Sequence, residues 1–592
     1  MEHFTLIIKP DNRQVAIHKN ATLLEAVAHC GIILNSSCGG RGTCGKCLVL
    51  IEPDKQQVQA CQYRIHSDLT ITIPSESRFY EHQILEHGID TQIKVCPTVC
   101  KKVLKIDSPD RHVLKAALNK SLPNHPIRIA KDVDVQLSQL PIEQLAQGVT
   151  VVCHLESNHD EAENAAYTAC TLETGDTADK LYGLAVDIGT TTVVAGLIDM
   201  TDGKLIATEA AVNPQSRFGD DVVSRIAYGD SDEKLNELHD IIIDCLNDIT
   251  FKLCRQKQIR RQDIYEMCVV GNTTMNHLFL KHPVKQLGQA PYHAYSLEAH
   301  DRPADELGLQ INPAANIHTV ENIAGFVGAD TTAVALATNI DTTDEVTLAI
   351  DIGTNGELLL GDGDKLYAAS CAAGPAFEGA RISCGSRAVD GAIEAVVING
   401  EDIDIDVIGS SSPRSICGSG LIDAVAVMLD LGIIDSTGRF VESDKLKNGL
   451  PTAIHSRIIE GNDEPAFLLA EGISLTQRDI RQVQLGKAAI QTGIKLLQNK
   501  LDLKDDDIKH ILLAGAFGNY ISPQNAMRIG LLPKVPIDRI HFIGNAAGTG
   551  ARMVLLSRDC RRDCRILAKK IEYIEIAHDP NFSDTYADSM LF

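Results

Sequence analysis

L-A-V-D-I-G-T-T-T (Leu184–Thr192) and L-A-I-D-I-G-T-N-G (Leu348–Gly356) are two copies of one turn, starting 164 residues apart in a chain of 592. Each copy is an apolar run that ends in Asp, then Gly-Thr, then a second strand-like run. Such a run reads as a buried strand and the Gly-Thr as a tight turn. Each copy therefore predicts a β-hairpin whose N–H and hydroxyl groups cup phosphate oxygens. The Asp stands too close to a bound phosphate to bind it directly, so it must hold a cation or water, and Mg²⁺ is implied. A lone D-x-G-x-T occurs by chance. Two near-identical copies at half-domain spacing predict paired lobes around one cleft.

This pattern resembles the actin, sugar-kinase and heat-shock-protein-70 superfamily. In that superfamily the first copy takes the outer phosphates, the second faces it across the cleft, and a later Gly-rich segment holds adenosine. I-L-L-A-G-A-F-G-N-Y (Ile511–Tyr520) matches the third piece through Gly515 and Gly518, although the superfamily has adjacent glycines where this chain has Gly515-Ala516. A helix from Thr476 to about Leu497 puts Ile480, Val483, Ile490, Ile494 and Leu497 on one packing stripe, with Lys487 read as solvated. Five further segments are too polar and Gly-rich for core: Asn213–Val222, Gly271–His277, Ala324–Thr331, Ala372–Arg381 and Ile416–Gly420. Glycine for close backbone approach, with hydroxyl, amide and carboxylate side chains, suits loops converging on a ligand; ordinary turns are the alternative.

The N-terminal region carries different chemistry. F-T-L-I-I-K-P and Gln14–His18 read as strands paired across Pro10–Asn12. Thr22 and Glu25 form a capping-box pattern that starts a helix. The loop C-G-G-R-G-T-C-G-K-C (Cys38–Cys47) follows, then strand-like Cys47–Ile51 and Leu69–Ile73. That is the order of a β-grasp ferredoxin. Three cysteines within ten residues ligate one small cluster only if the backbone curls around it, and Gly39, Gly40, Gly42 and Gly45 permit the curl. The C-x5-C-x2-C spacing of Cys38, Cys44 and Cys47 is one residue longer than the plant-type loop and resembles the vertebrate type. Cys61 in A-C-Q is the fourth ligand, early in the chain, with thirteen residues after Cys47. A zinc ribbon needs two C-x2-C knuckles and there is one, so a [2Fe–2S] cluster is the reading. The pairs Cys96/Cys100 and Cys560/Cys564 read as incidental thiols or as halves of a further metal site; Cys268, Cys371 and Cys417 read as small core residues.

Length predicts several domains. A net charge of −24 argues against nucleic acid as a partner and allows a basic protein partner or merely a well-solvated surface. Met1–Arg13 has no apolar signal region and no run approaches a membrane span, so the expectation is a cytoplasmic protein without a membrane partner. Ser75–Lys101 reads as a linker or short helix. Val103 to about Leu181 mixes strand and helix signals, which predicts a small α/β domain with a structural or homodimerising role. The expected fold is thus an α/β and α+β multidomain chain. A β-grasp ferredoxin spans 1–76, a linker 77–102 and a middle α/β domain 103–181. A duplicated actin-like (ribonuclease H-like) ATPase spans 182–592, with lobes of about 182–345 and 346–575 and a short tail.

Taken in order, C-G-G-R-G-T-C-G-K-C, N-P-Q-S-R-F-G-D-D-V, D-I-G-T-N-G-E, G-P-A-F-E-G and L-A-G-A-F-G-N resemble the reductive activators of corrinoid proteins over nearly the whole chain. The C-terminal stretch Arg558–Phe592 has only Cys560 and Cys564, so it is similar to the two-iron branch of that family rather than to relatives with four-iron clusters. The resemblance implies that one electron from an upstream low-potential donor passes through the [2Fe–2S] cluster to a corrinoid protein of a methyltransferase system. Inactive Co(II) becomes Co(I), with ATP and Mg²⁺ required. It implies cluster ligation by Cys38, Cys44, Cys47 and Cys61. Asp187 would position Mg²⁺, Asp351 Mg²⁺ or water, and Glu378 would activate water. Phosphate would rest on Gly189, Thr190, Thr191, Thr192, Gly353, Thr354 and Asn355, with Gly374 also at the nucleotide and Gly515 and Gly518 beside adenosine. Three rivals are an activator of a 2-hydroxyacyl-CoA dehydratase, a small-molecule kinase with a redox-regulatory ferredoxin domain, and a non-enzymatic redox-sensing module.

Overall fold

The computed structural model describes residues 3–9, 13–19, 21–29, 34, 47–74, 77, 94–156, 165–410, 412–442, 446, 450–460, 464–515 and 521–592. Cys38, Cys44 and Gly518 lie outside the described residues.

At the N-terminus β1 (His3–Lys9), β2 (Arg13–His18), β3 (Leu48–Ile51), β4 (Gln56–Gln59) and β5 (Leu69–Thr72) form one sheet in the order β2-β1-β5-β3-β4. β1 and β5 are parallel and the other pairs antiparallel. The helix Leu23–His29 lays Leu23, Ala26 and Val27 on Leu6, Ile8 and Ile71. Each large side chain so buried contributes about 1.5–3 kcal/mol. This is the expected β-grasp arrangement, with one strand, the polar Q-Q-V-Q of β4, that its composition did not announce.

β6 (Val99–Leu104), β7 (Ile127–Ile129), β8 (Val149–Glu156) and β9 (Ala166–Thr174) make a four-stranded sheet in the order β6-β8-β9-β7. β6 starts inside the stretch expected to be linker. V-C-K-K-V-L buries Val99, Lys101 and Leu104 and pairs with Val149–His154, which overrides its two lysines. Lys101 keeps its charge paired with Glu173 at 2.8 Å. The sheet is tied to the first of the two larger sheets, and to the C-terminal tail, through Glu266, a fully buried carboxylate. Its oxygens accept from Thr98 Oγ1 at 2.9 and 3.0 Å, from Asn316 Nδ2 at 3.2 Å and from Arg561 in the tail. Such a charge is tolerable only when several partners satisfy it.

Two larger sheets carry the duplication. The first joins β10 (Tyr182–Ile188), β11 (Thr192–Asp199), β12 (Leu205–Val212), β13 (Ile264–Gly271), β14 (His300–Pro303) and β15 (Asn316–Thr319) in the order β12-β11-β10-β13-β15-β14. The second begins with β16 (Thr347–Ile352), β17 (Gly356–Gly361) and β18 (Leu366–Cys371). Two small antiparallel-rich sheets are then inserted: β19 (Ala392–Asn399) with β20 (Asp402–Val407) and β21 (Ser415–Ile416), and β22 (Ile458–Glu460) with β23 (Pro465–Ala470) and β24 (Ile473–Thr476). β25 (His510–Ala514), β26 (Ile540–Gly544) and β27 (Glu572–Tyr573) complete the order β26-β25-β16-β17-β18-β27. In both, three antiparallel strands continue into two parallel ones: β12-β11-β10-β13-β15 and β18-β17-β16-β25-β26. Asp187 and Asp351 occupy the same penultimate position of the central strand in each lobe.

The lobes are joined by two helices that start at the cleft, Ala329–Thr338 and Ala546–Leu556. Although Ala546–Leu556 follows a strand of the second lobe, its Leu555 packs on Gly183 of β10. Both helices are rich in Ala, Gly and Thr because they cross in contact: a Cβ at Gly550 would overlap the backbone of Ala333. Among the described residues no helix is long and apolar enough to cross a membrane. Gly550→Val should force the crossing apart and destabilise the chain by about 1–3 kcal/mol, the range for overpacked cores. Denaturant unfolding is the measurement; unchanged stability would mean the crossing is loose.

Candidate active site and cluster hairpin

The short spacing of Cys61 has a structural cause. β3 and β4 are four residues each and pair Leu48 with Gln59, and Ala60 N–H donates to the Cys47 carbonyl at 2.7 Å. Cys47, just before β3, and Cys61, just after β4, therefore meet at the open end of one hairpin, 1% and 7% exposed. Two cysteines at neighbouring backbone positions of one hairpin end suit half of a Cys₄ donor set. The other two expected ligands, Cys38 and Cys44, belong to residues outside those described.

The two D-I-G-T turns face each other across a cavity of about 260 Å³. In the first, Gly189 N–H donates to Thr192 O at 2.9 Å, closing the turn. Behind it Asn213 Nδ2 donates to Gly189 O at 2.9 Å, Arg225 donates to Thr190 O at 2.5 Å and Asn272 Nδ2 to Thr190 Oγ1 at 2.9 Å. The three threonines consequently differ: the Thr190 hydroxyl is committed to Asn272, whereas that of Thr191 reaches the second lobe. Thr191 Oγ1 donates to Glu378 at 3.1 Å and lies 3.2 Å from Thr354 Oγ1, and Thr354 Oγ1 donates to Glu378 at 2.6 Å. One carboxylate thus joins the two D-I-G-T turns.

Asp187, Asp330, Asp351 and Glu357 converge on the same cavity. Glu357 lies directly opposite Asp351 in the β16–β17 pair; the matching residue of the first lobe, opposite Asp187, is Val194. Asp330 stands in the first turn of one crossing helix, and Asn545 caps the other. Burial pushes the Asp187 carboxyl up to about 8, reinforced by the charges of Asp330 and Asp351 and opposed by a hydrogen bond from Asn545. Burial and Asp330 push Asp351 up to about 7. Burial, with Asp330 and Asp351, drives Glu357 well up. Four half-buried carboxylates converging on one cavity call for a cation. Among the described residues no three His, Cys, Asp or Glu side chains can ligate one ion directly. That suits Mg²⁺, which keeps several waters and takes one or two carboxylates together with substrate phosphates.

The residues expected of the two phosphate turns all reach the cavity wall: Gly189, Thr190, Thr191, Thr192, Gly353, Thr354 and Asn355 line it. Gly374 instead opens the turn Pro375–Glu378 that carries Glu378. Gly515 lines the cavity at positive φ (85°) and sits against the Asp351 carboxylate. Of the five polar loops, four contribute to the wall through Asn272, Asp330, Glu378 and Ser419, while Asn213–Val222 backs the first turn from behind. Lys487 is not solvated: it is fully buried in the helix Gln477–Leu501 and donates to the Leu591 carbonyl, because the tail folds over that helix. Cys268 and Cys371 are buried in the core as expected, and Cys417 is buried at the cavity wall. Residues not singled out from the sequence are Asp330, Glu357, Asn272, Asn545 and Arg387. The first three lie within motifs that were; Asn545 could have been found as a helix cap, and Arg387 had no signal.

A family model for the C-terminal domain of RACo, the ASKHA domain, matches residues 345–592; the RACo middle region matches 182–343, and a 2Fe-2S iron-sulfur cluster binding domain matches 6–66. The corrinoid activation enzyme RamQ of Eubacterium limosum is 35% identical over 98% of this chain and 97% of its own. The chain belongs to the reductive activators of corrinoid proteins. A solved structure of a reductive activator for corrinoid,iron-sulfur protein covers 100% of this chain and 98% of that one at 33% identity, with a TM-score of 0.74. A [Co(II) methylated amine-specific corrinoid protein] reductase of Methanosarcina barkeri is 26% identical over 69% of this chain and 76% of its own. Membership of this family brings a two-iron cluster domain and an ATP-binding ASKHA domain into one chain, and the model named for the middle region falls on the first lobe rather than on the four-stranded sheet.

A carboxyl whose proton affinity is raised by folding makes stability fall as pH rises above its ordinary value. Burial and the neighbouring Asp330 and Asp351 charges raise Glu357, so Glu357→Gln should stabilise the protein at pH 8 in chelator. The difference should largely disappear at about pH 3, below the ordinary Glu value, where the unfolded chain also holds the proton. Urea unfolding at the two pH values checks this, and a destabilised variant at pH 8 would contradict it.

Proposed function

We propose that this chain is an ATP-dependent reductive activator that passes one electron from a low-potential donor to a corrinoid protein, converting Co(II) to Co(I). The observation that carries this reading is the meeting of both phosphate turns at Glu378, in a chain that also brings Cys47 and Cys61 to one hairpin end. Labour divides along the chain: residues 1–76 for the cluster, 77–102 as the way out of that domain, 103–181 as the intervening sheet, and 182–592 for nucleotide. When bound to Cys38, Cys44, Cys47 and Cys61, a two-iron cluster supplies one-electron transfer near roughly −400 mV.

Resting Co(II) is harder to reduce than that, and about 59 mV is a tenfold penalty for one electron. Coupling to nucleotide answers the penalty. Thr191 and Thr354 hydroxyls, together with the turn N–H groups, are placed for the outer phosphates of ATP. Asp187, Asp330, Asp351 and Glu357 would hold hydrated Mg²⁺, which would neutralise phosphate charge. Glu378 is the base for the attacking water. A terminal phosphate entering between the turns exchanges the Thr191–Glu378–Thr354 contacts for contacts to itself, and its loss on hydrolysis restores them. The crossing helices turn that exchange into lobe rotation, which governs docking and release of the corrinoid protein.

Two variants separate the halves of the reading. Cys47→Ser should lose the visible cluster spectrum and all Co(I) formation while still binding ATP. Thr354→Val should keep the spectrum and lose ATP turnover by about 100-fold, the usual cost of one stabilising donor. Co(I) formed at the normal rate by Cys47→Ser would end the electron-path assignment.

A further inference from the structure

We propose that Arg387 is a catalytic residue: its guanidinium binds the transferring terminal phosphoryl group of ATP and stabilises the charge that builds there. The proposal rests on the reading that ATP is hydrolysed in this cleft.

Five carboxylates line the cavity (Asp187, Asp330, Asp351, Glu357 and Glu378), and Arg387 is the one Lys or Arg among the lining residues described. Five acidic groups disfavour the further negative charge that builds on a transferring phosphoryl group, and Arg387 is the fixed cation of the lining that offsets it. Glu378 is one of its neighbouring charges, and Glu378 holds the threonines of both phosphate turns. The other neighbouring charge is Asp220, from the opposite lobe, so Arg387 lies at the seam between the lobes.

The loop is built to hold it. Residues between Glu378 and Arg387 fold back so tightly that a Cβ at Gly379, which has φ of 76°, would overlap the backbone of Ser386. Ser386 N–H donates to Ile416 O and Ile416 N–H to Cys384 O, each at 2.9 Å, and Ser386 Oγ lies 2.6 Å from Ser415 Oγ. Arg387 is thereby fixed beside Glu378 rather than left on a swinging loop. A planar guanidinium offers paired donors to phosphate oxygens and costs no rearrangement at the moment of reaction. In the step, the water oxygen bonds to the terminal phosphorus and the bond from that phosphorus to the bridging oxygen breaks. ADP leaves with the electron pair, and the water proton goes to Glu378 and then to the released phosphate. Arg387 neutralises charge on the transferring oxygens throughout and exchanges no proton.

The test uses the full chain with its cluster. Arginines in this role contribute about 10³–10⁵ to turnover in other phosphoryl-transfer sites. Arg387→Ala should thus cut kcat for ATP by about 100-fold or more while the KM for ATP moves by less than about fivefold. ADP should bind the variant as it binds wild type, whereas ADP with aluminium fluoride should lose its added affinity. Free guanidinium should restore turnover of Arg387→Ala, and Arg387→Lys should recover only part of it. A merely structural ion pair predicts the opposite pattern: ADP and ATP weakened alike, a lowered Tm, and no rescue. That pattern, or normal turnover in Arg387→Ala, overturns the assignment. Wild type that traps ADP–aluminium fluoride through Arg387 yet reduces no cobalt would refute the activator reading and leave this assignment standing.

Discussion

Like charges that cannot escape one another organise this molecule. Asp187 and Asp330 come from the first lobe, Asp351 and Glu357 from the second, and all four face one cavity. Two carboxylates 4 Å apart at an effective dielectric of 20 repel by about 4 kcal/mol, several times a typical hydrogen bond. The lobes can share this cleft closed only if protons or a cation intervene. Nucleotide with its metal is the ligand that supplies positive charge at the acids and phosphate oxygens at the turns together. Closure of the cleft is in this way made conditional on what fills it.

The surroundings make that condition mechanical. Glu378 draws Thr191 and Thr354 together across the cleft, and the helices that carry Asp330 and Asn545 cross where Gly550 touches Ala333. An event at the phosphates is a few residues from the pivot. The far end of β13, whose near end leads into Asn272, carries Glu266 and with it the four-stranded sheet and the helix Arg558–Lys570 that holds Arg561. The four-stranded sheet, outside the two lobes, is tied to the same strand that pairs beside the first D-I-G-T turn.

Much of this was legible in the sequence because strong local patterns specified it. Two D-I-G-T turns after apolar strands announced the lobes, and the cysteine loop with its glycines announced the ferredoxin. The alternation in β1 and the helix start at Thr476 fell within a residue of the observed bounds, while that helix runs on to Leu501, past the expected Leu497. What stayed hidden depends on distance in sequence. Glu357 becomes an acid of the site because β17 pairs it with Asp351, and Arg387 because a fold-back sets it beside Glu378. Lys487 looked like a surface lysine until the tail buried it. β6 looked like linker because its lysines hid a strand that only its partner β8 stabilises.

The direct test of the coupling is a single anaerobic mixture: reduced protein, a Co(II) corrinoid protein and Mg²⁺, with ATP, a non-hydrolysable analogue, or no nucleotide, followed by the absorption band of Co(I). The account predicts Co(I) accumulating with ATP and at most one equivalent, undischarged, with the analogue. Equal rate and extent of cobalt reduction in all three would contradict it.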